Sequence, residues 1–172
     1  MPHSPSTIRP AEDRDLASMS EMAASLLQYH HALDAQRFFL PQDVAKGYES
    51  WFRREQQTPD AILLVAEGPA GLEGYAYGRL EARDWNLLLD AHAALHDLFV
   101  VPEARTRKLG ERLLQAFLAE AEARGAPRVV LHTATANTTA QALFARCGFR
   151  TTMLEMTCEL EAAPASTPPT LE

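Results

Sequence analysis

The chain has 172 residues, of which 47% are apolar and 23% charged, and its formal net charge is -7. This balance fits one soluble domain with a hydrophobic core and argues against a general nucleic-acid binder, which would need a basic patch. Residues 1–5 lack the pattern of a signal peptide, no apolar run approaches the roughly 20 residues that span a bilayer, and two cysteines cannot form a dense disulfide framework. We therefore expect a cytoplasmic protein without a membrane partner.

The first half predicts a strand, two helices and a hairpin. A helix is expected from the N-cap candidates Asp13 and Asp15 to about His30, because its apolar residues recur at helical spacing. The other elements are a strand at 7–10, a helix at 42–54 and strands at 61–66 and 74–80, joined by the turn at 68–71. Residues 84–93 fit either an extension of a strand or a loop over a pocket.

The second half alternates strands and helices. The pattern predicts a strand at 95–101, a helix at 108–124, a strand at 129–133, a helix at 138–147 and a final strand at 151–160. A strand–helix–strand order implies a parallel pair within a mixed α/β domain. The tail at 162–172 is rich in Ala, Pro, Ser and Thr and has nothing to bury, so it is predicted to be disordered.

A basic turn joins the strand at 95–101 to the helix that follows. Its six residues, 105–110, include Arg105, Arg107 and Lys108. A helix start exposes unpaired N–H groups and the positive end of the helix dipole, so this turn is a candidate pyrophosphate site. A solvated basic turn without a ligand is the alternative at this point.

A second motif lies downstream of that turn. It runs from Asn137 through Ala140, Leu143 and Phe144 to the pair Gly148-Phe149. Together the two segments resemble the GCN5-related N-acetyltransferase (GNAT) superfamily, whose signature is an Arg/Gln-x-x-Gly-x-Gly/Ala turn followed by an Asn-x-x-Ala-x-x-Leu-Tyr-x-x-x-Gly-Phe helix. The match covers residues 95–160. It implies a single GNAT domain at 1–161 with an α/β fold, whose mixed central sheet is splayed at the acetyl-CoA site and flanked by about four helices.

The resemblance also implies how acetyl-CoA, the cosubstrate, would lie. Its pantetheine would pair with the strand edge at 98–101, and the amides at 107–110 with the Arg105 side chain would hold the pyrophosphate. The N–H of Val100 would stabilise the oxyanion that forms on the thioester carbonyl. The residues expected to bind the cosubstrate are Leu98, Phe99, Val100, Arg105, Thr106, Arg107, Lys108, Leu109, Gly110, Glu111, Asn137 and Phe144.

Two positions depart from the family pattern. Lys108 replaces the first glycine of the turn, where close approach of the backbone to phosphate favours glycine. Phe144 stands where many members have a tyrosine that protonates the leaving thiolate, and a phenyl ring cannot donate a proton. The general acid is therefore unassigned.

The candidate bases lie on the strand before the turn. Alternation directs His96 and Asp97 to opposite faces, with His96 on the face of Leu98 and Val100. Imidazole suits proton removal from an ammonium group at neutral pH, and some arylalkylamine acetyltransferases of this superfamily have a histidine at this position. A histidine hydrogen-bonded between strands is the alternative for His96, and Asp97 is the second candidate, with an orienting role as its alternative.

Other residues leave more open. Six aromatic residues could line the acceptor pocket or pack in the core: Tyr29, Phe38, Phe39, Tyr75, Tyr77 and Trp85. His30 and His31 are adjacent and point in different directions, so no metal site is expected.

The expected function is transfer of acetyl from acetyl-CoA to a primary amine, favouring a small molecule. The alternatives are acetylation of a protein N-terminus or lysine, a catalytically weak CoA-binding or regulatory module, and an unrelated α/β domain with a phosphate-binding helix. The oligomeric state is open, a homodimer included, since edge strands in this fold often pair two subunits.

Overall fold

The structure is a computed structural model that describes residues 6–160, without the side chains of Thr106 and Arg107. The tail predicted to be disordered, 162–172, lies outside the described residues. Within the described range, no helix is both long and apolar enough to cross a membrane.

Within residues 6–160, five strands form one mixed sheet, and their order in the sheet is their order in the chain: β1 (Thr7–Pro10), β2 (Ala61–Gly68), β3 (Gly71–Glu81), β4 (His92–Val100) and β5 (Val129–Leu131). Neighbouring strands are antiparallel except β4 and β5, which are parallel, as predicted. A parallel pair needs a crossover connection, and the helix between β4 and β5 provides it.

Four helices flank the sheet: α1 (Leu16–Leu33), α2 (Val44–Glu55), α3 (Leu109–Ala123) and α4 (Thr138–Arg146). One core lies between the sheet and α1 and α2, where Phe52 packs with Val65 and Tyr75. The other lies between the sheet and α3, where Phe117 packs with Ile62. Because helices cover both faces, β2 is apolar at successive positions rather than at alternate ones.

Residues 84–91 form a loop between β3 and β4, whereas residues 92 and 93, for which strand and loop were both open, belong to β4. Asp84 and Leu89 pair through their backbones, and the Asp84 carboxylate accepts hydrogen bonds from the amides of Asn86 and Leu87 at 2.7 and 3.0 Å. β4 begins only at His92.

The predicted strand at 151–160 is wrong. These residues have no regular secondary structure and all are exposed, including Met153 and Leu154. A strand needs a neighbour to pair with and a layer on which to bury its apolar side chains. Within the described residues, no strand pairs with this segment and no layer covers its apolar side chains. Its one ion pair there joins Glu155 to Arg37.

Candidate active site

A β-bulge in β4 sets the direction of the two candidate catalytic side chains. Tyr77 of β3 lies opposite Asp97, but the next β3 residue, Gly78, lies opposite Leu95, so His96 is the extra residue of the bulge. The prediction that His96 and Asp97 face opposite sides of the sheet assumed regular alternation. It is wrong, because the extra residue shifts the alternation by one position.

Both side chains lie on the face covered by α1 and α2. The His96 ring stacks on the buried Tyr77 ring, with centroids 5.5 Å apart and planes at 26°, and Asp97 contacts the same aromatic cluster. Leu98 and Val100 pack against the opposite core. The prediction that His96 shares their face is therefore also wrong.

His96 is partly exposed and faces an acid. Its Nε2 lies 3.8 Å from Oε1 of Glu81, the last residue of β3. Desolvation lowers the pKa of His96 below its ordinary value, while the negative charge of Glu81 opposes this shift. The lowered pKa favours the neutral imidazole, which is able to accept a proton.

Asp97 lies deeper, against two tyrosines. The Tyr75 hydroxyl donates a hydrogen bond of 3.0 Å to Oδ2 of Asp97. Burial raises the pKa of Asp97 to about 6, and the hydrogen bond from Tyr75 opposes that rise. Burial raises the pKa of the Tyr48 phenol in α2 to about 12, and the negative charge of nearby Asp97 adds to this rise. A half-buried carboxyl group that titrates near neutrality is a second candidate base.

A buried hydrogen bond between Tyr77 and Glu55 fixes the ring on which His96 stacks. The Tyr77 hydroxyl donates a hydrogen bond of 2.7 Å to Oε2 of Glu55 at the end of α2. Nη1 of Arg79 lies 3.5 Å from the same oxygen. Because its hydroxyl and its ring are both held, Tyr77 provides a fixed surface for the imidazole.

The opposite edge of β4 is open near its carboxyl end. In the part of the chain that the structure describes, β5 pairs with β4 only as far as Leu95. The N–H of Val101 donates to the carbonyl of Glu73 in β3 at 2.9 Å. The alternation of an antiparallel ladder then directs the N–H groups of Leu98 and Val100 away from β3, toward the side that β5 leaves uncovered. This splayed edge is where the resemblance places the pantetheine.

The start of α3 lies beside that edge. A Cβ built on Gly110 would lie 3.7 Å from a Val100 methyl carbon and 3.5 Å from one of Leu143 in α4. The backbone at Gly110 therefore approaches both β4 and α4 closely.

The first amides of α3 precede its first intrahelical hydrogen bond. Lys108 caps α3 in the left-handed conformation, with φ 54° and ψ 24°, and its carbonyl accepts the N–H of Arg112 at 3.1 Å. The N–H groups of Leu109, Gly110 and Glu111 precede this bond and have no acceptor within the helix. The glycine-like conformation of the turn is thus kept although a lysine occupies it.

Arg105, predicted to hold the pyrophosphate, contacts the end of β4. Arg105 donates from Nε to the Val100 carbonyl at 2.9 Å, and its guanidinium carbon lies 5.8 Å from the Phe99 ring centroid. These contacts tie the turn to the end of β4. Thr106 and Arg107 lie in a 3₁₀ segment, and their side chains are outside the description.

Glu111 lies in the first turn of α3. Together with Ile8, Lys108, Arg112 and Gln115 it lines a cavity of about 460 Å³. A carboxylate in the first turn of a helix interacts favourably with the helix dipole. The structure therefore gives Glu111 a role in stabilising the helix start, and its contact with the cosubstrate stays a prediction.

Asn137 caps α4. Its Oδ1 accepts the N–H of Ala140 at 3.2 Å, and the Tyr29 hydroxyl of α1 lies 3.5 Å from the same oxygen. Phe144 is half-buried and packs on Phe149, with ring centroids 5.8 Å apart. Asn137 thus holds the helix start, and the Tyr29 contact joins it to α1.

The residues between positions 26 and 149 match the model of the acetyltransferase (GNAT) family. The chain belongs to this family. It is also 28% identical over 143 residues to YhfO of Bacillus subtilis (strain 168), described as an uncharacterized N-acetyltransferase, covering 83% of this chain and 88% of that protein.

Solved structures share this GNAT fold. A tetramutant of the BH1408 protein from Bacillus halodurans has a TM-score of 0.78 at 17% identity, covering 90% of this chain and 99% of that one. The aminoglycoside N-acetyltransferase AAC(6')-Iy, in complex with CoA, has a TM-score of 0.74 at 17% identity, covering 94% and 99%. A putative acetyl transferase from Pyrococcus furiosus has a TM-score of 0.70 at 19% identity, covering 90% and 99%.

Three residues beside the GNAT candidate bases were missed by sequence reasoning: Tyr48, Glu55 and Glu81. They come from α2 and the end of β3, so no local motif connects them to β4. The buried aromatic residues Tyr75 and Tyr77 belong to the core, yet their hydroxyls bind acids beside the site. Core packing is therefore confirmed for these two tyrosines, and the lining of an acceptor pocket stays a prediction.

Proposed function

We propose that this GNAT protein transfers the acetyl group of acetyl-CoA to a primary amine of a small molecule. The observation that carries the proposal is the arrangement of β4. Its edge presents the N–H groups of Leu98 and Val100 where β5 ends, and its α1–α2 face presents His96 and Asp97. A thioester at that edge and an amine on that face would meet across a single strand.

The donor set fits acetyl-CoA. Strand amides suit the amide-containing pantetheine arm, which can pair like a short extra strand. The first N–H groups of α3, which have no acceptor within the helix, suit the pyrophosphate, because helix starts bind anions. The AAC(6')-Iy structures, one with CoA and one with a CoA-linked acetylneamine bisubstrate analogue, support a CoA thioester as the cosubstrate.

The chemistry proposed for this site is direct attack. The amine nitrogen bonds to the thioester carbonyl carbon, and the N–H of Val100 stabilises the oxyanion. The C–S bond then breaks with its electron pair on sulfur. His96 accepts the amine proton, with Asp97 as the alternative base. The thiolate takes its proton from water, because Phe144 has none to give.

A small cationic acceptor is favoured over a protein. Acidic side chains lie on the α1–α2 face around the bases, among them Glu55, Glu81 and Asp97, and aromatic rings lie between them. Anionic surroundings raise the local concentration of cations. The aminoglycoside acetyltransferases among the structural neighbours also support a small amine.

The deciding experiment measures thiol release from acetyl-CoA over a panel of polyamines, amino acids, aminoglycosides and peptides with a free N-terminus or lysine. We expect turnover with at least one small amine and less with the peptides. Turnover restricted to peptides would refute the small-molecule assignment.

A catalytically weak CoA-binding module is the second candidate, favoured by Phe144 and Lys108. It predicts that CoA raises the melting temperature, whereas ATP and NAD do not, and that no amine in the panel is acetylated.

We also propose a cytoplasmic location, in keeping with two free thiols, and a homodimer, because residues 151–160 expose apolar side chains. Light scattering tests the dimer.

A further inference from the structure

The carboxylate of Glu81 faces the imidazole of His96 from the end of the neighbouring strand. Nε2 of His96 is the nitrogen on that side, 3.8 Å from Oε1 of Glu81. The Tyr77 ring beneath fixes the plane of the imidazole, and Glu55 holds the Tyr77 hydroxyl. The bulge thus places His96 between an aromatic surface and an acid.

A neutral imidazole has one protonated and one unprotonated nitrogen, and its partners decide which is which. A carboxylate can only accept hydrogen bonds, so it favours a proton on the nitrogen that faces it. From 3.8 Å, a small rotation of the partly exposed Glu81 side chain completes the contact. The lone pair is then left on Nδ1.

We propose that Glu81 is the positioning residue of His96: its carboxylate holds the tautomer protonated at Nε2, so that Nδ1 receives the proton of the acceptor amine. The inference rests on the proposed role of His96 as the base. Glu81 does not touch the thioester in this proposal, and it acts only through the imidazole.

Glu81 also stabilises the product of the proton transfer. As the N–C bond forms and the C–S bond breaks, the amine proton moves to Nδ1, and His96 becomes a cation beside the anionic Glu81. That proton later passes to water, which restores the neutral tautomer. A neighbouring carboxylate has the same two effects, orientation and charge stabilisation, in hydrolase triads.

Among the described residues, four groups besides the stacked Tyr77 act electrostatically on His96: Glu81 and Arg79 of β3, Glu55 of α2 and His132 after β5. The two acids raise the pKa of His96, whereas Arg79 and His132 lower it. Nε of Arg79 lies 3.4 Å from Oε1 of Glu81, which helps to hold that carboxylate in place. Among these groups Glu81 is the one that most strongly opposes the lowering of the His96 pKa by desolvation.

The first test uses NMR of the free protein and needs no turnover. Side-chain ¹⁵N shifts report the His96 tautomer, and their pH titration reports its pKa. We expect the wild type to be protonated at Nε2. In Glu81→Ala we expect a mixture of tautomers, and in Glu81→Gln, which keeps the shape but loses the charge, a lower His96 pKa. The matched control is Glu120→Gln, since Glu120 pairs with Arg124 on α3 and is about equally exposed.

The second test is the pH profile of acetyl transfer. We expect Glu81→Gln to lower kcat about fivefold or more and to move the acidic limb of the profile to lower pH, with the KM for acetyl-CoA unchanged. Glu81→Asp, which keeps the charge, should restore part of kcat.

An unchanged His96 tautomer and pKa in both Glu81→Ala and Glu81→Gln overturns the proposal, whether or not an acceptor amine has been found. Absence of turnover with every amine would instead count against the proposed transferase activity. The two failures are therefore distinguishable.

Discussion

The Tyr75 hydroxyl donates a hydrogen bond of 3.0 Å to the Asp97 carboxylate, joining the middle of β3 to the bulged part of β4. Tyr75 is fully buried, so this bond satisfies a phenol that has no contact with water. The same bond stabilises the charged form of Asp97, which burial disfavours. The site therefore contains an acid whose charge is costly at neutral pH.

Replacing Asp97 should stabilise the protein at neutral and alkaline pH. The carboxyl pKa rises from an ordinary 3.8 to about 6 in the folded state, so the destabilisation appears as the pH rises from about 4 through 6 and is absent below. Asp97→Asn keeps an acceptor for Tyr75. It should raise the free energy of unfolding at pH 8 by up to about 3 kcal/mol and leave it nearly unchanged at pH 4.

Urea melts at both pH values measure this difference. Asp60→Asn, at an exposed position, is the control for loss of a negative charge. Equal effects of Asp97→Asn on the free energy of unfolding at pH 8 and pH 4 would show that burial does not raise the pKa of the Asp97 carboxyl group.

Replacing His96 should slow acetyl transfer. We expect His96→Ala to lower kcat at neutral pH by more than about tenfold, since general base catalysis contributes on that scale or more. The pH–rate profile of this variant, set beside that of Asp97→Asn, identifies the base. If the acidic limb survives in His96→Ala and disappears in Asp97→Asn, Asp97 is the base instead.

Lys108 offers a test of the left-handed turn. A residue with a Cβ in this conformation carries a cost of roughly 1–2 kcal/mol that glycine avoids, so Lys108→Gly should raise the melting temperature. Lys108→Ala loses the same charge but keeps the strain, and should not. Calorimetric titration with CoA should show a similar loss of affinity in both variants, because both lack the ammonium group. A rise in melting temperature in Lys108→Ala equal to that in Lys108→Gly would contradict the strain.

Gly110 should tolerate one methyl group and no more. The Cβ of Gly110→Ala would make ordinary contacts at 3.5 and 3.7 Å with Leu143 and Val100, whereas the γ-carbons of Gly110→Val would push α3 away from β4. We expect Gly110→Ala to bind CoA like the wild type and Gly110→Val to bind at least about tenfold more weakly. Melting curves of the free proteins separate lost affinity from lost folding. Equal affinities of Gly110→Ala and Gly110→Val for CoA would show that the helix start is not part of the CoA site.

Restoring a phenol at position 144 tests the missing acid. Phe144→Tyr should raise kcat, because a phenol can protonate the departing thiolate and phenylalanine cannot. The ring packs on Phe149 at the same place, so the fold should be retained. An unchanged kcat would mean that water protonates the thiolate without limiting the rate.

The sequence predicted most of the elements and their order, because their apolar spacing and turn residues are local signals. It predicted the helix start near Lys108 and the parallel pairing of β4 with β5 for the same reason. The strand at 151–160 failed, since its alternating residues have no partner strand or core layer within the described residues. Alternation shows that a segment can be a strand, but it does not supply the neighbour.

The bulge at His96 could not be predicted from β4 alone, since it is a relation between that strand and β3. Reading β4 by itself put His96 and Asp97 on opposite faces, and the register with Tyr77 and Gly78 puts them on one. The nearness of Glu81 depends on the same register.

The bulge supplies the candidate base but interrupts the regular pairing of β4 with β3. Deleting His96 would let Leu95 and Asp97 continue an unbroken ladder with β3, and an ordinary sheet has no other need for an extra residue there. Such a shortened chain should fold at least as well as the full one while lacking its candidate base. A screen for thermal stability alone would therefore reward the loss of the residue on which the proposed chemistry depends.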